Sequence, residues 1–177
     1  AVDLLLELAA IPSPPGEERG VADVVLRYLR GLGLEPDEDD CGPRIGSSAG
    51  NVYAQLEPTV EGTPLFLCAH MDTVPPDGRL EPVVDDGVVR NAGGTILGGD
   101  NKAAITAMLE GVRRVLAEGV AHAGIELVFT PKEEVGLIGA GAFEHDRLRA
   151  RMGYVYDQEG AMGEVILGAP WSRAFDV

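Results

Sequence analysis

His70 and Asp72 stand two residues apart, directly after the apolar run PLFLCA, and acidic residues recur in comparable places further along the chain. Glu133 and Glu134 follow IELVFTP, Asp157 follows YVY, and Asp100 opens a helical stretch after the Gly98-Gly99 pair. In open α/β sheets ligands bind beyond the carboxyl ends of the strands, so an imidazole and several carboxylates delivered there describe a site. Acids gathered without compensation repel one another and lose solvation. Lys102 and Lys132 are almost the only cations nearby in sequence, and a divalent cation would relieve both costs. One imidazole among carboxylates suits Zn²⁺, with Mn²⁺ and Co²⁺ compatible, because no thiolate imposes a softer preference.

Each residue taken alone has a plainer reading. In extended chain a spacing of two places His70 and Asp72 on one face, about 6.6 Å apart along the strand. Asp72 can then hold the imidazole by its second ring N–H, directly or through the loop bend. A core histidine with a capping aspartate is the plainer account of that pair in isolation. Asp100 alone reads as an N-cap for NKAAITAML, and Glu133-Glu134 after Pro131 read as acids favoured in a first helical turn. Adjacent carboxylates point in different directions, however, so one can ligate a metal while its neighbour holds a water. The combination of all these residues outweighs the separate readings.

The elements that must position them follow from periodicity. Val21, Val24, Val25, Tyr28, Leu29 and Leu32 recur at helical spacing after the breaker SPPG, predicting an amphipathic helix over 17–31. A polar, acidic connection, EPDEDDCGPRIGSSAG, reads as a surface loop around a short strand. NVYAQLE and PLFLCAH are strand candidates, and the continuous apolar character of the second predicts a central strand over 65–70. VVDDGVVRN reads as a hairpin turning at Asp86-Gly87. A long helix is expected from about Asn101 to Glu118, then a buried strand in GIELVFT, a short helix in PKEEVGLIGAGAFEHD and a further strand in MGYVYD. Strands alternating with helices point to α/β layers.

Bulk properties narrow the function. At 177 residues and 45% hydrophobic content the chain can bury one core. A net charge of −15 argues against nucleic acid, whose affinity comes from Lys and Arg displacing counterions. No apolar stretch approaches the roughly 20 residues needed to cross a bilayer, so no membrane role is expected. The N-terminal segment carries no basic region ahead of its apolar residues, although the chain starts at Ala1 and not at Met. Cys41 and Cys68 have neither disulfide-framework nor thiolate-zinc spacing, and a cytoplasmic setting fits best.

The strings AHMDTVPP, LGGDNKAAITAML, FTPKEEVGLIGAG and YVYDQEG resemble, in order and spacing, the M20 zinc metallopeptidases, nearest the tripeptidase T branch. The resemblance implies a three-layer α/β/α sandwich with a mostly parallel mixed central sheet. Residues 1–168 would be the N-terminal portion of the catalytic domain, and 169–177 the start of a connection to a lid domain. It implies two Zn²⁺ per complete active site: His70 and Asp157 on one ion, Asp100 bridging, Glu134 on the second. Asp72 would orient His70, and Glu133 would be the general base. It also implies a cis Asp100–Asn101 peptide. The implied reaction removes N-terminal residues from short peptides through a metal-activated water. Asp at position 157 favours aminopeptidases, whereas Glu there is common among carboxypeptidases and deacylases; Glu159, two residues on, is an alternative ligand on the same face. An N-acyl amino-acid amidohydrolase or carboxypeptidase, and a non-catalytic metal-binding fragment, are the competing readings.

The family's last ligand is a His far downstream, beyond an inserted lid that also mediates dimerisation, so a homodimer is expected only of a full-length protein. His122 and His145 read as surface residues, and Trp171 and Phe175 fall in the stretch resembling the entry to the lid. The expectation is that the 177-residue chain binds zinc more weakly than a full-length version and hydrolyses Ala-Ala-Ala poorly or not at all. Calorimetric titration showing two equally tight ions per chain would contradict it.

Overall fold

The computed structural model describes residues 1–158, 160–161 and 163–168. Its chain order is α1 (Val2–Ala9), α2 (Arg19–Gly31), β1 (Asp37–Glu38), α3 (Gly42–Ile45), β2 (Val52–Leu56) and β3 (Leu65–His70). There follow β4 (Pro82–Asp85), β5 (Val88–Asn91), α4 (Gly99–Glu118), β6 (Ile125–Thr130), α5 (Ile138–Ala142) and β7 (Gly153–Val155). The expected elements are present. Helices beyond those expected include α1, whose Leu4 and Leu8 are buried against the core, and the short α3, in the stretch read as a loop.

Helix-period patterning explains the main core. Val21, Val25 and Leu29 of α2 and Ile105, Leu109 and Val112 of α4 fall on single helical faces. They join Leu127 and Phe129 of β6 and Ala69 of β3 in one cluster. Alternation along the strands sends Tyr53 and Val128 to the opposite face, where they meet Phe143, with Cys68 and Leu148 partly buried beside them. The first face is therefore covered by α1, α2 and α4, and the second by shorter elements.

The sheet is mixed, in the order β1-β2-β6-β3-β7. β3 runs parallel to both β6 and β7, while β2 is antiparallel to β6 and to β1. β3 thus lies inside the sheet as expected, but β6 is the more deeply buried strand. The thinner cover on the second face, with β7 short and largely exposed beside β3, accounts for that difference. Parallel register matters most for function: His70 pairs with Thr130, and Cys68 with Val155. Three strand ends therefore open on the same edge.

The β4–β5 hairpin stands apart as a second sheet. Asp86 and Gly87 both have positive φ, 48° and 76°, as its two-residue turn requires.

Leu109 is fully buried whereas Leu116, on the same helix, is 41% exposed. Leu109→Ala should lower unfolding free energy by about 2–5 kcal/mol and Leu116→Ala by well under half of that. Urea denaturation followed by circular dichroism measures both.

Candidate metal centre

His70 ends β3 with its side chain almost fully buried. Its Nδ1 lies 2.8 Å from the carbonyl oxygen of Asp72. A carbonyl can only accept, so this contact places the proton on Nδ1 and aims Nε2 in the other direction. Nε2 faces Asp100 Oδ1 at 3.1 Å, Asp157 Oδ1 at 3.4 Å and Glu133 Oε2 at 3.9 Å. Residues from β3, α4 and the segments after β6 and β7 thus converge on one imidazole nitrogen.

Asp72 does more than the spacing implied. Its carboxylate lies 3.4 Å from His70 Nδ1, so the backbone carbonyl is the nearer partner of the ring. The carboxylate oxygens instead accept from the backbone N–H groups of Glu133, at 2.8 Å, and Glu134, at 3.1 Å. One buried aspartate therefore fixes the histidine ring and the turn bearing the glutamate pair. Burial pushes its pKa up, but His70 and the two backbone N–H groups outweigh that and hold it below the usual value.

That turn is tightly determined. Lys132 and Leu137 both take positive φ, Glu133 O accepts from the N–H groups of Gly136 and Leu137, and Gly139 N–H donates to Pro131 O. A Cβ on Gly139 would lie 2.1 Å from Pro131 O, so the turn closes only with glycine there. Glu133 and Glu134 therefore sit in this turn, ahead of α5, and not in a helical first turn.

Asp100 does not cap α4. Gly98 occupies the N-cap in the left-handed region, and Asp100 has non-helical φ/ψ of −83° and 106°, with a cis peptide to Asn101. Its side chain is 71% exposed and turned toward His70. Asn101 is a site-forming residue that sequence reasoning passed over: its Nδ2 donates to Tyr156 O at 2.5 Å, tying the start of α4 to the chain just before Asp157. Its place directly after Asp100, in the peptide expected to be cis, was its signal in the sequence.

Two overlapping groups of donors result, His70 with Glu133 and Glu134, and His70 with Asp100 and Asp157. Within each group the ligand atoms lie within 4.8 Å of one another. Among the described residues, His122 and His145 join neither group. Glu159 lies outside the described residues, as do Trp171 and Phe175. Lys102 Nζ donates to Ile11 O and Lys132 Nζ to Ile45 O, so both neighbouring ammonium groups face backbone carbonyls. A cavity of about 390 Å³, bordered by Asp100, Asn101, Tyr156 and Asp157, opens beside the cluster.

Electrostatics record the crowding. Burial raises the pKa of Glu133, and the neighbouring Asp157, Glu134 and Asp72 raise it further against the lowering effect of His70. Glu134 is raised by burial and then by Asp100 and Asp72, and Asp157 by burial and then by Asp100, with His70 opposing in each case. For His70 itself, burial lowers the pKa, but the surrounding carboxylates carry it up to about 9. A divalent cation at Nε2 would replace that proton and neutralise the carboxylates. The donor set of one imidazole with carboxylates fits zinc and its first-row neighbours.

Residues 66–169 match the model of peptidase family M20/M25/M40. The chain is 38% identical over 165 residues to the protein YqjE of Bacillus subtilis (strain 168), covering 93% of this chain and 44% of that one. Among solved structures it superposes on the aminopeptidase PepT of Bacillus cereus with a TM-score of 0.84 and 35% identity, covering 90% of this chain and 43% of that one. A tripeptidase of Staphylococcus aureus gives the same TM-score, identity and coverage. The chain thus spans less than half the length of the curated relatives it matches.

Raised to about 9, the His70 pKa favours a second ring proton, on Nε2, at neutral pH. A cation at Nε2 must displace it, so binding at His70 should release roughly one proton and weaken up to about tenfold for each pH unit below about 9. Zinc calorimetry in two buffers of different ionisation enthalpy reads the proton count directly. Buffer-independent heats would contradict the ligand role of His70.

Proposed function

Given that the chain belongs to peptidase family M20/M25/M40, we propose that its protein hydrolyses peptide bonds in short peptides, removing N-terminal residues as a tripeptidase-like metallo-aminopeptidase. The observation that carries this reading is the convergence of Asp100, Asp157 and Glu133 on His70 Nε2. The likeness to an aminopeptidase and a tripeptidase supports the substrate class.

In this reading His70, Asp157, Asp100 and Glu134 would hold the two ions. Residues 1–168 would form the N-terminal portion of a catalytic domain. When bound, the ions acidify the attacking water and polarise the scissile carbonyl. Everything else falls to side chains. Asp72 keeps the His70 ring oriented and Glu133 at its post. Glu133 accepts the proton of the attacking water as its oxygen bonds to the carbonyl carbon, and returns that proton to the amine nitrogen as the C–N bond breaks. A raised carboxylate pKa suits that task, since a proton acceptor works best when poised nearer the working pH.

The cavity beside Asp100 and Asp157 lies within the volume range of small-ligand sites. Two free cysteines among the described residues accord with a cytoplasmic, reducing setting. No helix among the described residues is long and apolar enough to cross a membrane.

In the full-length protein, Glu133→Gln should leave metal content unchanged and lower kcat by about 10²–10⁴-fold. Metal analysis with steady-state kinetics on Ala-Ala-Ala checks it, and substantial residual turnover would remove Glu133 from the mechanism. Free-amine tripeptides should be cleaved in preference to N-acylated ones; the reverse order would indicate an amidohydrolase.

A further inference from the structure

Glu18 is a completely buried carboxylate at the N-cap of α2, yet its side chain makes no capping bond to that helix. It reaches instead into the junction of three loops. Oε1 accepts from the backbone N–H of Gly16 at 2.6 Å and of Lys132 at 3.2 Å, and Oε2 accepts from the Ser47 hydroxyl at 2.6 Å. These partners lie 2, 29 and 114 residues away in sequence.

The third contact is the informative one. Lys132 takes a φ of 56°, which a residue with a Cβ seldom adopts unless its surroundings impose it. Its N–H is held by Glu18 and its ammonium by Ile45 O. The next two N–H groups along the chain, of Glu133 and Glu134, are held by Asp72. The glutamate-bearing turn is thus clamped at successive amides by two buried carboxylates, Glu18 on the upstream side and Asp72 beneath the pair.

We propose that Glu18 is a positioning residue for the reaction: by fixing the Lys132 amide it sets the backbone angle from which Glu133 reaches the attacking water. This rests on the reading of Glu133 as proton acceptor. Glu18 touches neither substrate nor metal ligand side chain in this role. Its effect passes through one peptide unit, where a displacement of about 1 Å costs on the order of 10²-fold in rate.

Two substitutions separate positioning from general stability in the full-length, zinc-loaded protein. Glu18→Gln keeps one carbonyl oxygen for Gly16 and Lys132 and can donate to the Ser47 oxygen, so the clamp survives. Glu18→Asp keeps the charge but is one methylene too short to span all three partners. The expected result is kcat within about threefold of wild type for Glu18→Gln, and about 10–100-fold lower for Glu18→Asp, with KM within about twofold in both. Zinc content should be unchanged in both, and the Lys132 amide should exchange hydrogen at least about tenfold faster in Glu18→Asp alone.

Full kcat in Glu18→Asp overturns the proposal. So does an equal loss in both variants accompanied by lost zinc or a lowered thermal midpoint, which would mark Glu18 as a support of the fold only. Glu133→Gln run alongside keeps the two readings apart. If it stays active, the proton-acceptor role falls and this proposal with it; if it is inactive while Glu18→Asp is fully active, only the role of Glu18 falls.

Discussion

Mutual repulsion among carboxylates is the constraint around which this chain is organised. Asp100, Glu133 and Asp157 approach a single imidazole nitrogen, and Glu134 stands close behind. Burial and their neighbours raise the proton affinity of Glu133, Glu134 and Asp157, and their combined field raises that of His70 despite its burial. Coulomb energy between such groups is large in a partly desolvated setting. The nearest ammonium groups do not relieve it, since Lys102 and Lys132 donate to carbonyls of Ile11 and Ile45. A bound cation turns the same arrangement from a cost into an attraction.

Backbone architecture holds the charges in place against that repulsion. Parallel pairing of β3 with β6 and β7 brings three strand ends to one edge. Asp72 then links two of them, taking His70 with its carbonyl and the Glu133 and Glu134 amides with its carboxylate. Asn101 links the start of α4 to the third through Tyr156. Glu18 adds a clamp from the far side of the glutamate turn. Most of these are hydrogen bonds to backbone, which fixes the path of the chain and leaves the site carboxylates free to turn toward a ligand.

Much of this arrangement was legible beforehand. Continuous apolar runs located β3 and β6, helical spacing located α2 and α4, and the acids read at strand ends stand together on one edge of the sheet. What escaped depended on contacts between distant segments. The division of labour within Asp72, carbonyl to the ring and carboxylate to the turn, cannot be read from a spacing of two. Asp100 resembles an N-cap in sequence, but Gly98 takes that position and Asp100 leaves helical geometry. Glu18 falls inside the expected helix 17–31 with nothing to single it out, because its decisive partner lies 114 residues away. The burial of α1 likewise depends on α4, which passes beside it much later in the chain.

Anomalous scattering from crystals grown with zinc shows whether a metal sits at the His70 ring. A difference peak at the zinc edge is expected about 2.0–2.2 Å from His70 Nε2 and from oxygens of Asp100 and Asp157. An empty map around the His70 ring at saturating zinc, or peaks confined to surface acids elsewhere, would contradict it.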